Sequence, residues 1–295
     1  MRIRNSKEKA VFDIISYVTV ILVTLFCLIP FILVISGSFT SERSIHVDGY
    51  WFWPKEFSLD AYNNALKNPA VITRSYIVTI LLTAIGSVLG LFLTSLTSFA
   101  LQRPSFKYRN LFALYFYFTT LFTGGLVPFY ILMIKYLHLK DSYLALLFPY
   151  LFTVFDIIVM RSFMKSIPEA LAESAKIDGA GEFTIFLRLY LPLSKPALAT
   201  VGLFIALRYW NDWYTPMLFI TDEKMFPLQY LLYNMLTKIE FAMRASQTGG
   251  VRIQSFPTEA FKLAMTVIAT GPIVLLYPFL QKYFIRGLTV GAVKG

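Results

Sequence analysis

The sequence predicts an all-α integral membrane protein with six transmembrane helices, and three observations carry that prediction. The first is composition: 57% of the 295 residues are hydrophobic and 15% charged, against about 25% charged in a soluble domain. Mean hydropathy is +0.62, and a soluble chain of this size cannot hide so much apolar surface, because burial saturates with size. The second is run length. A helix needs roughly 20 mostly apolar residues to cross the hydrocarbon core, and six stretches qualify, at about 11–37, 71–101, 110–134, 142–163, 196–220 and 259–281. The third is the placement of basic residues. Arg2, Arg4, Lys7 and Lys9 precede the first stretch, Arg103, Lys107 and Arg109 follow the second without an acid, and Lys282, Arg286 and Lys294 follow the sixth. The positive-inside rule puts these segments, and both termini, in the cytoplasm. It also accounts for the net charge of +10 without nucleic acid as a partner.

Taken in order, the first apolar run is far longer than the 7–15 residues of a signal-peptide core, so it reads as an uncleaved helix. Segments 38–70 and 221–258 then lie outside, and the aromatic run "GYWFWPKEF" suits an interfacial belt or a docking surface. In the third stretch Gly124, Gly125 and Pro128 weaken backbone hydrogen bonding, which predicts a break or kink near its outer end. The whole reads as one domain, 1–295: residues 1–70 supply the first helix and an outer segment, 71–285 a five-helix core, and 286–295 a cytoplasmic tail.

A charged segment, "EALAESAKIDGAGEFTIFLRLYLPLSKP", separates the fourth and fifth spans. Ser166-Ile167-Pro168-Glu169 has the form of a capping box with proline in the first turn, so a helix is expected to start there. Ala170, Leu171, Ala172 and Ala175 give it a small-residue surface, and Glu169 and Glu173 lie near its N-terminus, where the helix dipole favours them. Gly179 after Asp178 is placed as a C-terminal stop. Phe183, Phe186, Leu187 and Tyr190 then recur at helical spacing until Leu191-Pro192, and Pro196 opens the fifth span. By physics alone two readings stand: a helix that fits a groove on a partner, or an ordinary interfacial helix.

The pattern Glu173-Ser174-Ala175, Gly179, Leu191-Pro192 resembles the "EAA" signature of bacterial ABC importer permeases, with Ser174 for an alanine and Leu189 for an isoleucine. "YWNDWYTPM" and the tail "YFIRGLTVGAVKG" are similar to the shorter permease subunit of maltose-type carbohydrate importers, and "FTGGLVPFY" to a branch that handles oligosaccharides and polysaccharide fragments. The resemblance covers essentially the whole chain. It implies a type I ABC importer transmembrane domain in the bacterial inner membrane, a second homologous permease, two cytoplasmic ATP-binding subunits, and an extracytoplasmic sugar-binding protein. It also implies that the charged segment is the cytoplasmic coupling helix, with Glu169, Glu173, Ala175, Asp178, Gly179, Leu191 and Pro192 at the ATPase joint.

The fifth span carries Arg208, Asn211 and Asp212 among Trp210, Trp213 and Tyr214, and the fourth carries Asp156. A charge at mid-depth costs about 3 kcal/mol on insertion scales and must face protein or a cavity. Arg208 and Asp212, four residues apart, can pair on one helix face; Asp156 can pair with Arg161, or with Arg208 across helices. These groups read either as a structural ion pair with an aromatic belt or as a sugar path, in which planar polar groups bind hydroxyls and rings cover sugar faces. No phosphate-binding loop, metal-ligand spacing or nucleophile motif is present in the sequence, so no enzyme activity, metal or cofactor is expected. Cys27 stands alone, and His46 and His138 are far apart. Against the sugar permease stand an ABC permease for another solute and an ion-coupled secondary transporter, which would show paired broken helices in internal repeats.

Overall fold

The computed structural model describes residues 7–249 and 259–274 and is helical almost throughout. The helices are α1 (Lys7–Ser38), α2 (Glu42–Asp48), α3 (Asp60–Ala65), α4 (Pro69–Gln102), α5 (Arg109–Leu121), α6 (Leu126–Ile131), α7 (Tyr143–Leu151), α8 (Val154–Met164), α9 (Glu169–Ile177), α10 (Glu182–Ile185), α11 (Leu191–Leu193), α12 (Lys195–Trp210), α13 (Tyr214–Phe219) and α14 (Leu228–Gly249); residues 259–274 form α15. Single π-turns extend α6 over Leu132–Tyr136 and join α10 to α11 over Phe186–Tyr190. The described chain falls into two compact units, one holding the residues up to Pro69 with those of Met235–Gly271, the other Ala70–Asn234 with the described residues from Pro272 on.

Among the described residues α1 and α4 are unbroken, apolar and long enough to cross a membrane, and three further candidates are bent pairs. The third predicted span is two helices meeting at 111°. Gly125 at the break has φ +84°, a conformation open to glycine at no steric cost. The expected kink is therefore present, and it lies in the middle of the 110–134 stretch rather than at its outer end. The fourth span bends by 43° between α7 and α8. The fifth was expected as one run over 196–220. Instead α12 stops at Trp210 and α13 starts at Tyr214, while an 85° bend sets α12 off from the Glu182–Leu193 stretch before it. That bend separates α12, from Lys195 on, from the stretch before it. Residues 275–281 of the sixth stretch, the basic tail, and the first six residues lie outside the described residues.

In the first unit, the apolar side chains of α1 are exposed along the helix. The outer segment folds back through a bridge between Thr40 and Phe57. Glu42 accepts hydrogen bonds at 3.0 Å from both the Glu259 and Ala260 backbone N–H groups of α15. Ile45, Ala61, Ala260 and Ala264 are buried around that joint.

In the second unit, α4 turns a stripe of small residues inward, with Gly86, Gly90, Thr94 and Ser98 at four-residue intervals all buried. Such a stripe lets helix backbones approach closely. A Cβ on Gly86 would lie 2.3 Å from the Tyr209 ring, so the glycine is required by packing. The core of this unit joins Phe99 of α4, Met160 and Met164 of α8, Ala172 of α9, Phe186 and Tyr190 of the π-turn, and one face of α12.

Candidate functional site

Two groups of residues singled out by the sequence fall in the second unit, and each is built by a local break in a helix. The first is α9 and its flanks. The helix starts at Glu169 after Pro168, as expected, but the capping box does not form: Pro168 is the N-cap and makes no side-chain cap. Ser166 lies too far upstream, and its hydroxyl donates instead to the Phe163 carbonyl at 2.7 Å, closing the end of α8. The stop is as the sequence predicted. Gly179 has φ +85°, and its N–H donates to the Lys176 carbonyl at 3.0 Å while that of Ala180 donates to the Ala175 carbonyl at 2.9 Å. This is the paired closure that a left-handed glycine permits at a helix end.

The alanine face differs from expectation. Ala172 is fully buried and Ala175 packs on the same core, so these small residues let α9 lie close on its own chain. The outward face carries Ala170, Leu171, Glu173, Ser174, Ile177 and Asp178, all exposed, and Ile177 is 87% exposed. Leu191 packs on the core, while Pro192 is exposed. The regular helical spacing expected over 183–190 is interrupted by the π-turn. Its extra residue rotates the register, so Phe186 and Tyr190 are buried while Phe183 and Leu187 are left exposed.

Three ion pairs brace this segment. Arg103, just beyond α4, places Nε 3.3 Å from Glu182 and Nη1 3.8 Å from Glu169, and Lys176 Nζ lies 2.6 Å from Glu182. Burial works to raise the Glu182 carboxyl, but the hydrogen bond from Lys176 and the charge of Arg103 outweigh it and hold the group below its ordinary value. In the sequence Arg103 reads only as a topological charge.

The second group surrounds the break between α12 and α13. Arg208 does not pair with Asp212. Its Nη1 and Nη2 reach the two Asp156 carboxylate oxygens at 3.0 and 3.3 Å, and Nη1 also donates to Thr153 Oγ1 at 2.8 Å. The reason is that α12 ends at Trp210, so Asp212 is no longer one turn along the same face. Asp212 turns to the start of α13, where Oδ1 accepts from the Thr215 N–H at 3.0 Å and from the Tyr150 hydroxyl at 3.2 Å. Of the two pairings open to Asp156, the cross-helix one is made, and the carboxylate is 1% exposed.

Arg208, Asn211, Asp212, Trp213 and Tyr214 line an open cleft of about 450 Å³ with Tyr150, Phe204 and Leu207. Trp213 and Tyr214 are each about two-fifths exposed, and Trp213 stacks on Tyr233 with 4.5 Å between ring centres. Trp210 is buried and Asp156 lies behind Arg208, so neither lines the cleft. Thr153, Tyr150 and Thr215 were not anticipated. Pro149 inside α7 marks a lost backbone hydrogen bond at the Ala145 carbonyl, but Thr153 and Tyr150 answer Arg208 and Asp212 instead. The Tyr209 hydroxyl donates nearby to the Leu147 carbonyl at 2.7 Å.

A family model described as "Binding-protein-dependent transport system inner membrane component" matches residues 3–290. The protein LplC of Bacillus subtilis (strain 168) is 38% identical over 293 residues, covering 99% of this chain and 97% of the relative. The polygalacturonan/rhamnogalacturonan transport system permease protein YtcP of the same strain is 37% identical, covering 98% and 100%. Among solved structures, a bacterial ABC transporter involved in the import of the acidic polysaccharide alginate contains a chain that superposes with a TM-score of 0.81 at 30% identity, over 96% of this chain and 99% of that one.

Proposed function

The chain belongs to the family of binding-protein-dependent transport system inner membrane components, and from that premise we propose that it is one membrane-spanning half of an importer that carries oligosaccharides into the cytoplasm. It is a permease component and not an enzyme. Its free energy comes from ATP bound and hydrolysed by separate subunits, and its substrate is delivered by a binding protein on the outer side. A second, homologous permease completes the pathway, with two ATP-binding subunits beneath, and both termini lie in the cytoplasm. The whole chain acts as one permease domain. Oligosaccharides as the cargo are supported by relatives named for polygalacturonan and for arabinooligosaccharides and by the aromatic and amide groups of the cleft.

The observation that carries this reading is α9: a short helix between two spans, seated on its own core through Ala172, closed by Gly179, and presenting Leu171, Glu173 and Ile177 outward. That is the shape of a ridge that fits a groove on a partner. In the cleft the roles divide. Arg208 and Asp156 satisfy one another and brace the bend of the fourth span, whereas Asn211, Trp213 and Tyr214 keep exposed groups, and Asp212 a half-buried carboxylate, for hydroxyls and sugar faces. Gly179→Val tests the coupling role. Nothing lies within 4 Å of a Cβ added at Gly179, so the defect comes from the left-handed backbone alone, about 1–2 kcal/mol for an L-residue. The variant is expected to insert and assemble with its partner permease but to lose ATPase association and transport. Full transport with normal substrate-stimulated ATP hydrolysis would remove α9 from the coupling role.

A further inference from the structure

Arg103 is 4% exposed, while its two partners, Glu169 and Glu182, are close to half exposed. A buried cation facing exposed acids is an expensive arrangement, since an apolar residue of the same volume would pack there without the desolvation cost. Its geometry points to what the charge achieves. Glu169 is the first residue of α9 and Glu182 the first of α10, so one guanidinium holds the leading ends of both helices on either side of the Gly179 turn. Lys176, in the last turn of α9, closes the set through Glu182 at 2.6 Å. The guanidinium also lies 5.7 Å from the centre of the Phe99 ring, and Phe99 in turn meets Phe186 at 5.4 Å and Tyr190 at 4.9 Å.

The covalent chain connects α9 and α10 to α8 on one side and to α12 on the other. Nothing in that connection ties them to α4, which lies far away in sequence. We propose that Arg103 is a latch that makes the cytoplasmic end of α4 move as one body with the coupling segment, so that a displacement imposed on α9 reaches the second span as well as the fifth. This rests on the coupling role assigned to α9 above. Arg103 is a positioning residue here: it is too buried to touch an ATPase subunit and acts through the helices it holds. The half-exposed carboxylates suit such a part, because each can regain water if the contact opens, whereas the arginine cannot leave its seat against Phe99.

The test uses the complete importer in liposomes, with Cys27→Ser and spin labels on Leu171 of α9 and Ser105 beyond α4, both exposed in the structure. The label-to-label distance is read without nucleotide and after trapping with ATP and vanadate. A latch predicts the same narrow distribution in both states. Arg103→Gln should broaden it about twofold or shift it between states, as expected for a segment freed to open locally. Arg103→Lys, which keeps the charge but not the fork, should fall between. Glu182→Gln removes one arm while leaving Glu169, and gives the same readout at smaller size should Arg103→Gln fail to assemble. An unchanged narrow distribution in Arg103→Gln and Glu182→Gln overturns the latch, as does a wild-type distance that already changes on trapping. Cross-linking from a cysteine at Leu171 to the ATPase subunit separates the two layers: if the wild-type pair does not cross-link, the coupling role itself fails, whereas cross-linking with no distance effect in the variants removes only the latch.

Discussion

Arg103 and Arg208 are both arginines held against carboxylates, and their surroundings are reversed. At Arg103 the cation is buried, with a side chain 5% exposed, and its acids are 47% and 46% exposed. At Arg208 the acid is buried, with Asp156 at 1%, and the cation is 25% exposed. The geometry differs in the same sense: Arg208 meets Asp156 with both terminal nitrogens and adds Thr153, whereas Arg103 reaches two separate acids at 3.3 and 3.8 Å without the alignment of a hydrogen bond. In hydrocarbon a charge must be fully answered by protein, so the pair within the span is bidentate and closed. At Arg103 the two acids are nearly half exposed and keep part of their hydration, so an unaligned contact is tolerated on their side, while Nε and Nη1 of the arginine stay sealed from water.

The largest expected effect follows from which member is buried. Arg208→Gln leaves Asp156 sealed without its counter-charge, and breaking a buried pair in this way costs about 3–5 kcal/mol. Asp156→Asn leaves a cation that is a quarter exposed and keeps Thr153, a loss nearer about 1–3 kcal/mol. Arg208→Lys should behave like a weaker Arg208→Gln, because an ammonium cannot span both carboxylate oxygens and the Thr153 hydroxyl. The measurement is the amount of assembled complex in the membrane and its thermal unfolding in detergent. Arg208→Gln should be the least stable of the three. Equal losses in all three would mean that burial does not rank the members of the pair. If assembly is normal in all three but transport of the native sugar is abolished, the pair contacts substrate instead of bracing the fourth span.

A smaller effect, and a sharper one for function, is expected at Asp212. Asparagine keeps an oxygen for the Thr215 N–H and the Tyr150 hydroxyl, so stability should change little. It removes the charge from a hydrogen bond offered to the cleft. A charged hydrogen bond contributes about 1.5–3 kcal/mol, so uptake at saturating loaded binding protein should fall about tenfold or more at equal assembly. Unchanged uptake would leave Asp212 as no more than the cap of α13.

These contrasts were unevenly legible in the sequence. The stop at Gly179 could be read because one backbone position demanded glycine after a run of helix formers. The break at Gly124-Gly125 could be read for the same reason. The starts were less legible: Ser166 had the spacing of a capping box, but Pro168 took the N-cap and the serine closed the preceding helix. In the fifth span the four-residue spacing of Arg208 and Asp212 predicted a pair only for as long as the helix continued, and it ends between them. The mark of that end is Pro216 in the first turn of α13, which removes the helical hydrogen bond to the Asp212 carbonyl four residues back, and residue spacing alone does not register it. Arg103 was hidden for a different reason. A basic residue after a span is what topology alone demands, so its burial against Phe99 and its reach to two distant acids had no separate trace in the sequence.

The smallest effect concerns pH and the exposed half of the comparison. Glu182 lies outside the crossing, and its carboxyl is held below its ordinary value of 4.5, with burial opposing and Lys176 and Arg103 prevailing. A carboxylate lowered in the folded state binds protons more readily when unfolded, so its contribution is complete above the ordinary glutamate value. It is lost as pH falls through the lower, folded value. Neutral and mildly acidic conditions should therefore leave the contact intact, and protonation in the range below 4.5 should release Glu182 from Arg103 and Lys176. Because the group is nearly half exposed, the change in overall stability should be slight, and the sensitive measurement is local. Protease cleavage near the exposed Ile177, compared between wild type and Glu182→Gln, should differ at neutral pH and converge as the wild-type carboxylate takes up its proton. If the two already coincide at neutral pH, Glu182 does not restrain the segment, and the Arg103 contact depends on Glu169 alone.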